Sequence, residues 1–163
     1  KIFSTLGYKT LIIDLDPQGN VSTYLNYDKN PEKDSNAIDL LEKKNDIVPG
    51  KISNNLDILS SNIKISKFNE EKIVGGSKLQ HSFNINKLDN YDLIIIDTPP
   101  TMSSLVQEAL AVSDFYLIPA KPECRISSLI FVLSLFYIVA SPNYLQRLGY
   151  GFVVELTARN IPR

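Results

Sequence analysis

Tyr91-Asp-Leu-Ile-Ile-Ile-Asp-Thr-Pro-Pro100 is the stretch on which the fold turns. Its aliphatic side chains, Leu93 to Ile96, follow one another without the polar alternation of a half-solvated strand. That is the pattern of a strand covered on both faces in a parallel sheet. The strand drives into the core and delivers Asp97 at its exit, where an unpaired carboxylate is costly. A metal, a bound water or a helix N-terminus has to satisfy it.

The same unbroken apolar pattern occurs upstream around Ile12, in Thr10-Leu-Ile-Ile-Asp-Leu15. Other β-branched runs are Leu56-Asp-Ile-Leu-Ser60, Phe115-Tyr-Leu-Ile-Pro119 and Tyr150-Gly-Phe-Val-Val-Glu-Leu156. Helices are predicted between them over 37–44, 101–112 and 126–140, with Thr101 or a neighbour capping the second and Ser127 or Ser128 near the start of the third. This β–α–β alternation argues for a doubly wound α/β domain with a mostly parallel sheet and helices on both faces. Ligands in that architecture sit beyond the carboxyl ends of the strands. Two stretches of weak periodicity, 29–50 and 62–90, read as surface insertions or mobile connections.

Composition bounds the rest. A chain of 163 residues, 44% of them apolar, is one domain with a real core. With 17 basic and 18 acidic residues, no global positive field draws it onto nucleic acid or an anionic membrane, so such binding has to be local. The single cysteine, Cys124, rules out an internal disulfide or a cysteine-built zinc or iron–sulfur site within one chain and suits a reducing compartment, read as the cytoplasm. No apolar run reaches the roughly 20 residues that span a bilayer. Leu129 to Ala140, interrupted by Ser134, comes nearest and is a buried helix or strand candidate. Lys1 to Leu6 lacks the apolar stretch of a secretory signal.

Asp14-Leu-Asp-Pro-Gln-Gly-Asn20 marks the exit of the first strand. Residues two apart on an extended chain project to one face, so Asp14 and Asp16 place both carboxylates on one side. Pro17 stops the ladder and Gly19 lets the chain turn. Two such carboxylates raise one another's pKa unless they share a cation or a donor. They either cap a loop or hold a divalent metal. The aliphatic strand ending in Asp97 has the form of a Walker B element, whose aspartate holds Mg²⁺, usually through water. Paired with the acidic exit of an earlier parallel strand, it favours a nucleotide site over two unrelated caps.

Asp14 to Asn20, Tyr91 to Pro100 and Ala111-Val-Ser-Asp-Phe-Tyr-Leu-Ile-Pro119 together resemble the ParA/Soj family of chromosome and plasmid partition ATPases, in the deviant Walker A group that includes MinD. The resemblance covers most of the chain and implies a P-loop NTPase-like, three-layer α/β/α fold, with residues 1–163 forming a single nucleotide-binding domain. It further implies a Mg²⁺-dependent ATPase, binding ATP or ADP. Asp16 matches the family aspartate that orients the attacking water. Asp14 matches the carboxylate beside the Mg²⁺ shell and Asp97 the Walker B aspartate. Thr98, Pro119 and Thr157 fall at positions near the nucleotide. As partners the resemblance implies a ParB-like protein that stimulates hydrolysis, non-specific DNA and a second copy of the chain in an ATP-dependent homodimer, on the nucleoid and not on a membrane.

The family's phosphate cradle, a Lys-Gly-Gly-x-Gly-Lys-[Ser/Thr] loop, is not among these residues. By the family's spacing it would end roughly ten residues before Lys1. The expectation is a domain truncated at its start and also at its end, which binds ATP poorly as it stands. Two alternatives are a MinD-like ATPase that positions division machinery and a non-catalytic regulatory module that has lost the loop.

His81 has no partner at metal-ligand spacing and reads as a surface or packing residue. Cys124 reads as structural. The stripe from Leu129 to Tyr137 reads as a core helix. From residue 121 on, five basic residues, Lys121, Arg125, Arg147, Arg159 and Arg163, face only Glu123 and Glu155. They either edge a DNA-binding surface or are scattered solvated side chains.

Overall fold

A computed structural model describes residues 1–30, 33–71, 77–101, 103–117 and 136–140. The elements in chain order are α1 (Ile2–Thr5), β1 (Thr10–Asp14), α2 (Asn20–Leu25), α3 (Ala37–Leu41), β2 (Gly50–Ser53), β3 (Leu56–Leu59), α4 (Lys78–Asn86), β4 (Leu93–Asp97), α5 (Ser104–Val112), β5 (Phe115–Leu117) and β6 (Phe136–Ala140). Two 3-10 segments, Ile63–Phe68 and Leu88–Asn90, flank α4.

Among the described residues, six strands form one sheet in the order β2-β3-β1-β4-β6-β5. β1 runs parallel to both β3 and β4, while β2, at one edge, is antiparallel to β3. β6 is antiparallel to β4 and to β5. β1, β3, β4 and β5 therefore all point the same way, and the doubly wound α/β class holds. β1 and β4 are fastened at both ends. At the entry the Lys9 N–H donates to Asp92 Oδ2 at 2.9 Å and the Asp92 N–H donates back to the Lys9 carbonyl at 2.9 Å. At the exit the Leu15 N–H donates to the Asp97 carbonyl at 2.8 Å.

The period of two along these strands sorts the side chains. Leu11, Ile13, Leu59, Ile94 and Ile96 join Leu40 and Leu41 of α3, Leu79 of α4 and Leu105, Val106 and Ala109 of α5 in one buried cluster. Thr10, Ile12, Asp14, Ile95 and Asp97 lie at the alternate positions, and there Ile12 and Ile95 are only half-buried. The acidic residues thus belong to the sheet face away from the α3–α5 layer.

Two expectations are corrected. Residues 29–50 and 62–90 are not mere surface insertions: Ala37, Ile38, Leu40 and Leu41 of the first and Ile65, Phe68, Leu79 and Leu88 of the second enter the core cluster, and α4 is held at its start by a neighbouring helix. Glu108 of α5, itself buried, accepts from Ser77 Oγ at 2.6 Å and from the Leu79 N–H at 3.0 Å. The periodicity of α4 was weak because its apolar contribution is short, so packing rather than amphipathicity fixes it. The helix expected over 126–140, and the core-helix stripe ending at Tyr137, do not hold over Phe136–Ala140, which is strand β6. Phe-Tyr-Ile-Val is aromatic and β-branched, a composition that suits the open edge of β4 better than a helix. Residues 126–135 and the strand expected over 150–156 lie outside the described residues, as do Cys124 and the five C-terminal basic residues. β2 and the antiparallel β2–β3 hairpin were not foreseen, nor was the short α2.

Candidate nucleotide site at the exits of β1 and β4

Asp14 and Asp97 end two adjacent parallel strands and are register partners. Asp14 is fully buried. Its Oδ1 accepts the Asp16 N–H at 3.0 Å, and this bond bends the chain out of the strand. Asp16 repeats the device: its Oδ1 accepts the Gln18 N–H at 2.9 Å and its carbonyl accepts the Gly19 N–H at 3.0 Å. These are Asx-type turns, in which a short acidic side chain replaces the lost ladder partner. Gly19 then starts α2 with φ at +62°, a left-handed conformation that glycine adopts without cost from a Cβ.

The electrostatics follow from this crowding. Burial, and then the nearby Asp97 and Asp16 charges, push the Asp14 carboxyl up to about 7, against the pull of the Asp16 and Val21 N–H groups. Burial and the Asp16 charge push Asp97 up to about 6, opposed by the Thr98 N–H. Among the described residues Asp14 Oδ2 has no hydrogen-bond partner. An isolated buried carboxylate oxygen beside two other carboxylates is a strongly cation-seeking arrangement. Among the described residues, however, no group of three or more His, Cys, Asp or Glu side chains is arranged to hold a metal ion by itself.

Of the residues singled out in the sequence, Asp14, Asp16 and Asp97 come together, and Thr98 follows them as a buried residue. Pro119 and Thr157 lie outside the described residues. His81 is exposed on α4, as expected of a surface residue. Two residues were missed: Ser22 in α2 and Ser61 after β3 have hydroxyl oxygens closed off from solvent and, among the described residues, no hydrogen-bond partner. A serine carries no periodicity signal; Ser22 sits in the helix that follows the exit of β1, and the Ser61 carbonyl lies beside the Gly19 turn. Among the described residues no helix is long and apolar enough to cross a membrane.

A family model described as an AAA domain matches residues 1–133. A virulence plasmid ParA family protein of Chlamydia psittaci is 32% identical over 126 residues, covering 71% of this chain and 46% of that protein. The sporulation initiation inhibitor protein Soj of Bacillus subtilis is 32% identical over 124 residues, covering 72% of this chain and 48% of Soj. Among solved structures, a putative plasmid partition protein of Borrelia burgdorferi bound to AMPPNP superposes with a TM-score of 0.56 at 28% identity, covering 70% of this chain and 51% of that one. A second plasmid partition structure from the same organism gives a TM-score of 0.59 at 30% identity, covering 69% and 52%. The chain thus spans about half the length of the curated relatives it matches. With most of its length inside the family model and with partition proteins as relatives in both sequence and structure, the chain belongs to the AAA domain family of P-loop ATPases, in its ParA/Soj branch.

Proposed function

We propose that the protein is a ParA-type ATPase of plasmid or chromosome partitioning, and that Asp14, Asp16 and Asp97 form the acidic side of its ATP site. The observation that carries this reading is the in-register pairing of Asp14 with Asp97, with Asp16 close enough to raise the pKa of Asp97. A Mg²⁺ ion suits this donor set, since the carboxylates repel one another and one buried oxygen lacks a partner. Asp14 and Asp97 would hold the ion, with phosphate oxygens and water completing its shell. When bound, the ion supplies charge neutralisation for the transferring phosphoryl group.

The chain's own residues do the positioning. Asp16 is half-buried, and its Oδ1 is fixed by the Gln18 N–H, so its carboxylate has a set orientation from which to align an attacking water. Thr98, Pro119 and Thr157 contribute further nucleotide contacts in this reading. With ATP bound, two copies of the protein pair and hold DNA non-specifically on the nucleoid, in the cytoplasm, and a ParB-like protein stimulates hydrolysis and release.

The test is DNA binding by the full-length protein with ATP and Mg²⁺, titrated with salt and repeated with ADP and with anionic lipid vesicles. ATP-dependent, salt-sensitive DNA binding supports partitioning. Vesicle binding without DNA affinity supports a MinD-like role instead, and failure to bind any nucleotide supports a non-catalytic module.

A further inference from the structure

We infer that Tyr27, seated on Gly50, is a positioning residue for the acidic exit of β1: it anchors the far end of α2, whose near end is bonded to Asp14 and Asp16. α2 is only six residues long, and Leu25 is its one buried side chain. Tyr24 is 80% exposed. A helix this short has little stability of its own, and one buried leucine fixes it weakly on the sheet. What holds α2 in place lies at its two ends.

At the near end the chain is tied to the two aspartates link by link. The Gln18 N–H donates to Asp16 Oδ1 at 2.9 Å, the Gly19 N–H donates to the Asp16 carbonyl at 3.0 Å, and the Val21 N–H bonds the Asp14 carboxyl. At the far end Asn26 takes a left-handed φ of 52°, which asparagine tolerates, and the Tyr27 N–H donates back to the Ser22 carbonyl at 3.0 Å. The Tyr27 ring then lies against Gly50 of β2, where an added Cβ would stand 1.8 Å from its hydroxyl oxygen. Glycine in a strand marks such a close approach. The hydroxyl donates to Asp34 Oδ2 at 2.7 Å, and the same oxygen accepts the Asn30 N–H at 2.9 Å. The ring is thus fixed between β2 and the loop that follows α2.

The consequence for catalysis rests on the ATP-site reading above. With α2 pinned at Gly50, the Gln18, Gly19 and Val21 N–H groups meet Asp16 and Asp14 in one fixed geometry. Dislodging the ring frees the far end of α2 and loosens the turn that orients the Asp16 carboxylate. A small misplacement of a group that aligns a nucleophile is costly in rate. Tyr27 therefore acts on kcat through α2 and not by contact with substrate.

The experiment has two arms, both on the full-length protein. In amide hydrogen exchange without nucleotide, Tyr27→Ala is expected to speed exchange of the Val21 N–H by about 10-fold more than that of the Ile12 and Ile95 amides in the central strands. Unchanged Val21 exchange overturns the inference, and so does an equal rise in all three, since Tyr27 would then serve overall stability alone. In the kinetic arm, Tyr27→Ala and Gly50→Ala dislodge the ring by different routes. Each is expected to lower kcat for ATP by about 10-fold, with KM changed less than about 2-fold. Tyr27→Phe keeps the ring and is expected to retain most of the rate. An unchanged kcat in Tyr27→Ala, a rise in KM alone, or a Tyr27→Phe variant as slow as Tyr27→Ala overturns the role of the seated ring. A wild-type protein without ATPase activity refutes the ATP-site reading and leaves the exchange arm to decide whether Tyr27 holds α2.

Discussion

Asp14 and Asp97 stand opposite each other at the last register position of β1 and β4, each at the end of an aliphatic strand. Two carboxylates at this position destabilise the sheet that carries them, and burial makes the conflict worse. A fold with no use for the pair would gain stability by losing one of them.

That conflict makes stability depend on pH. Both carboxyls have folded-state values, about 7 for Asp14 and about 6 for Asp97, above the ordinary value of 3.8. The folded protein therefore holds more protons than the unfolded chain between about pH 4 and 7, and stability falls as pH rises through that window. For the fully buried Asp14 the loss is on the order of 4 kcal/mol. Thermal melts from pH 4 to 8 with a chelator present are expected to show this fall, to show it weakened by Asp14→Asn, and to show partial recovery at pH 8 on adding Mg²⁺. A flat profile would remove the electrostatic argument for a cation.

Glu108 links α5 to the first turn of α4 through the Ser77 hydroxyl and the Leu79 N–H. Glu108→Ala leaves a buried donor unmet, and a loss of about 1–3 kcal/mol in urea unfolding is expected. Glu108→Gln keeps an acceptor and should lose less. Equal losses for the two variants would place the contribution of Glu108 in packing.

Gly19 and Gly50 are fixed for different reasons. At Gly19 the positive φ sets the cost: Gly19→Ala meets the Ser61 carbonyl only at ordinary contact distance and should lose about 1–2 kcal/mol from backbone strain. At Gly50 a Cβ would overlap the Tyr27 ring, whose hydroxyl donates to Asp34 Oδ2 at 2.7 Å. Gly50→Ala has to displace that ring, and Tyr27→Ala in the same chain should relieve part of the damage. Additive losses in the double variant, measured by urea unfolding, would show that the two positions are uncoupled.

What could be read from the sequence was what repeats locally. The unbroken runs around Ile12 and Ile95 gave the two central strands to within a residue at each end, and the acidic exits followed from them. Residues 62–90 were misread because Ile65, Phe68, Leu79 and Leu88 are spaced for 3-10 turns and a short helix, which no single period describes. Phe136–Ala140 was misread because an apolar run does not by itself say whether it will form a helix or a strand.

The most direct measurement is the Mg²⁺-dependent ATP turnover of the full-length protein, wild type against Asp16→Asn, with ATP affinity measured alongside. An aspartate that aligns the attacking water should take at least about 100-fold from kcat when neutralised, while ATP affinity changes by less than about 3-fold. Undiminished turnover in Asp16→Asn would contradict the account, because the acidic exit of β1 would then take no part in the chemistry.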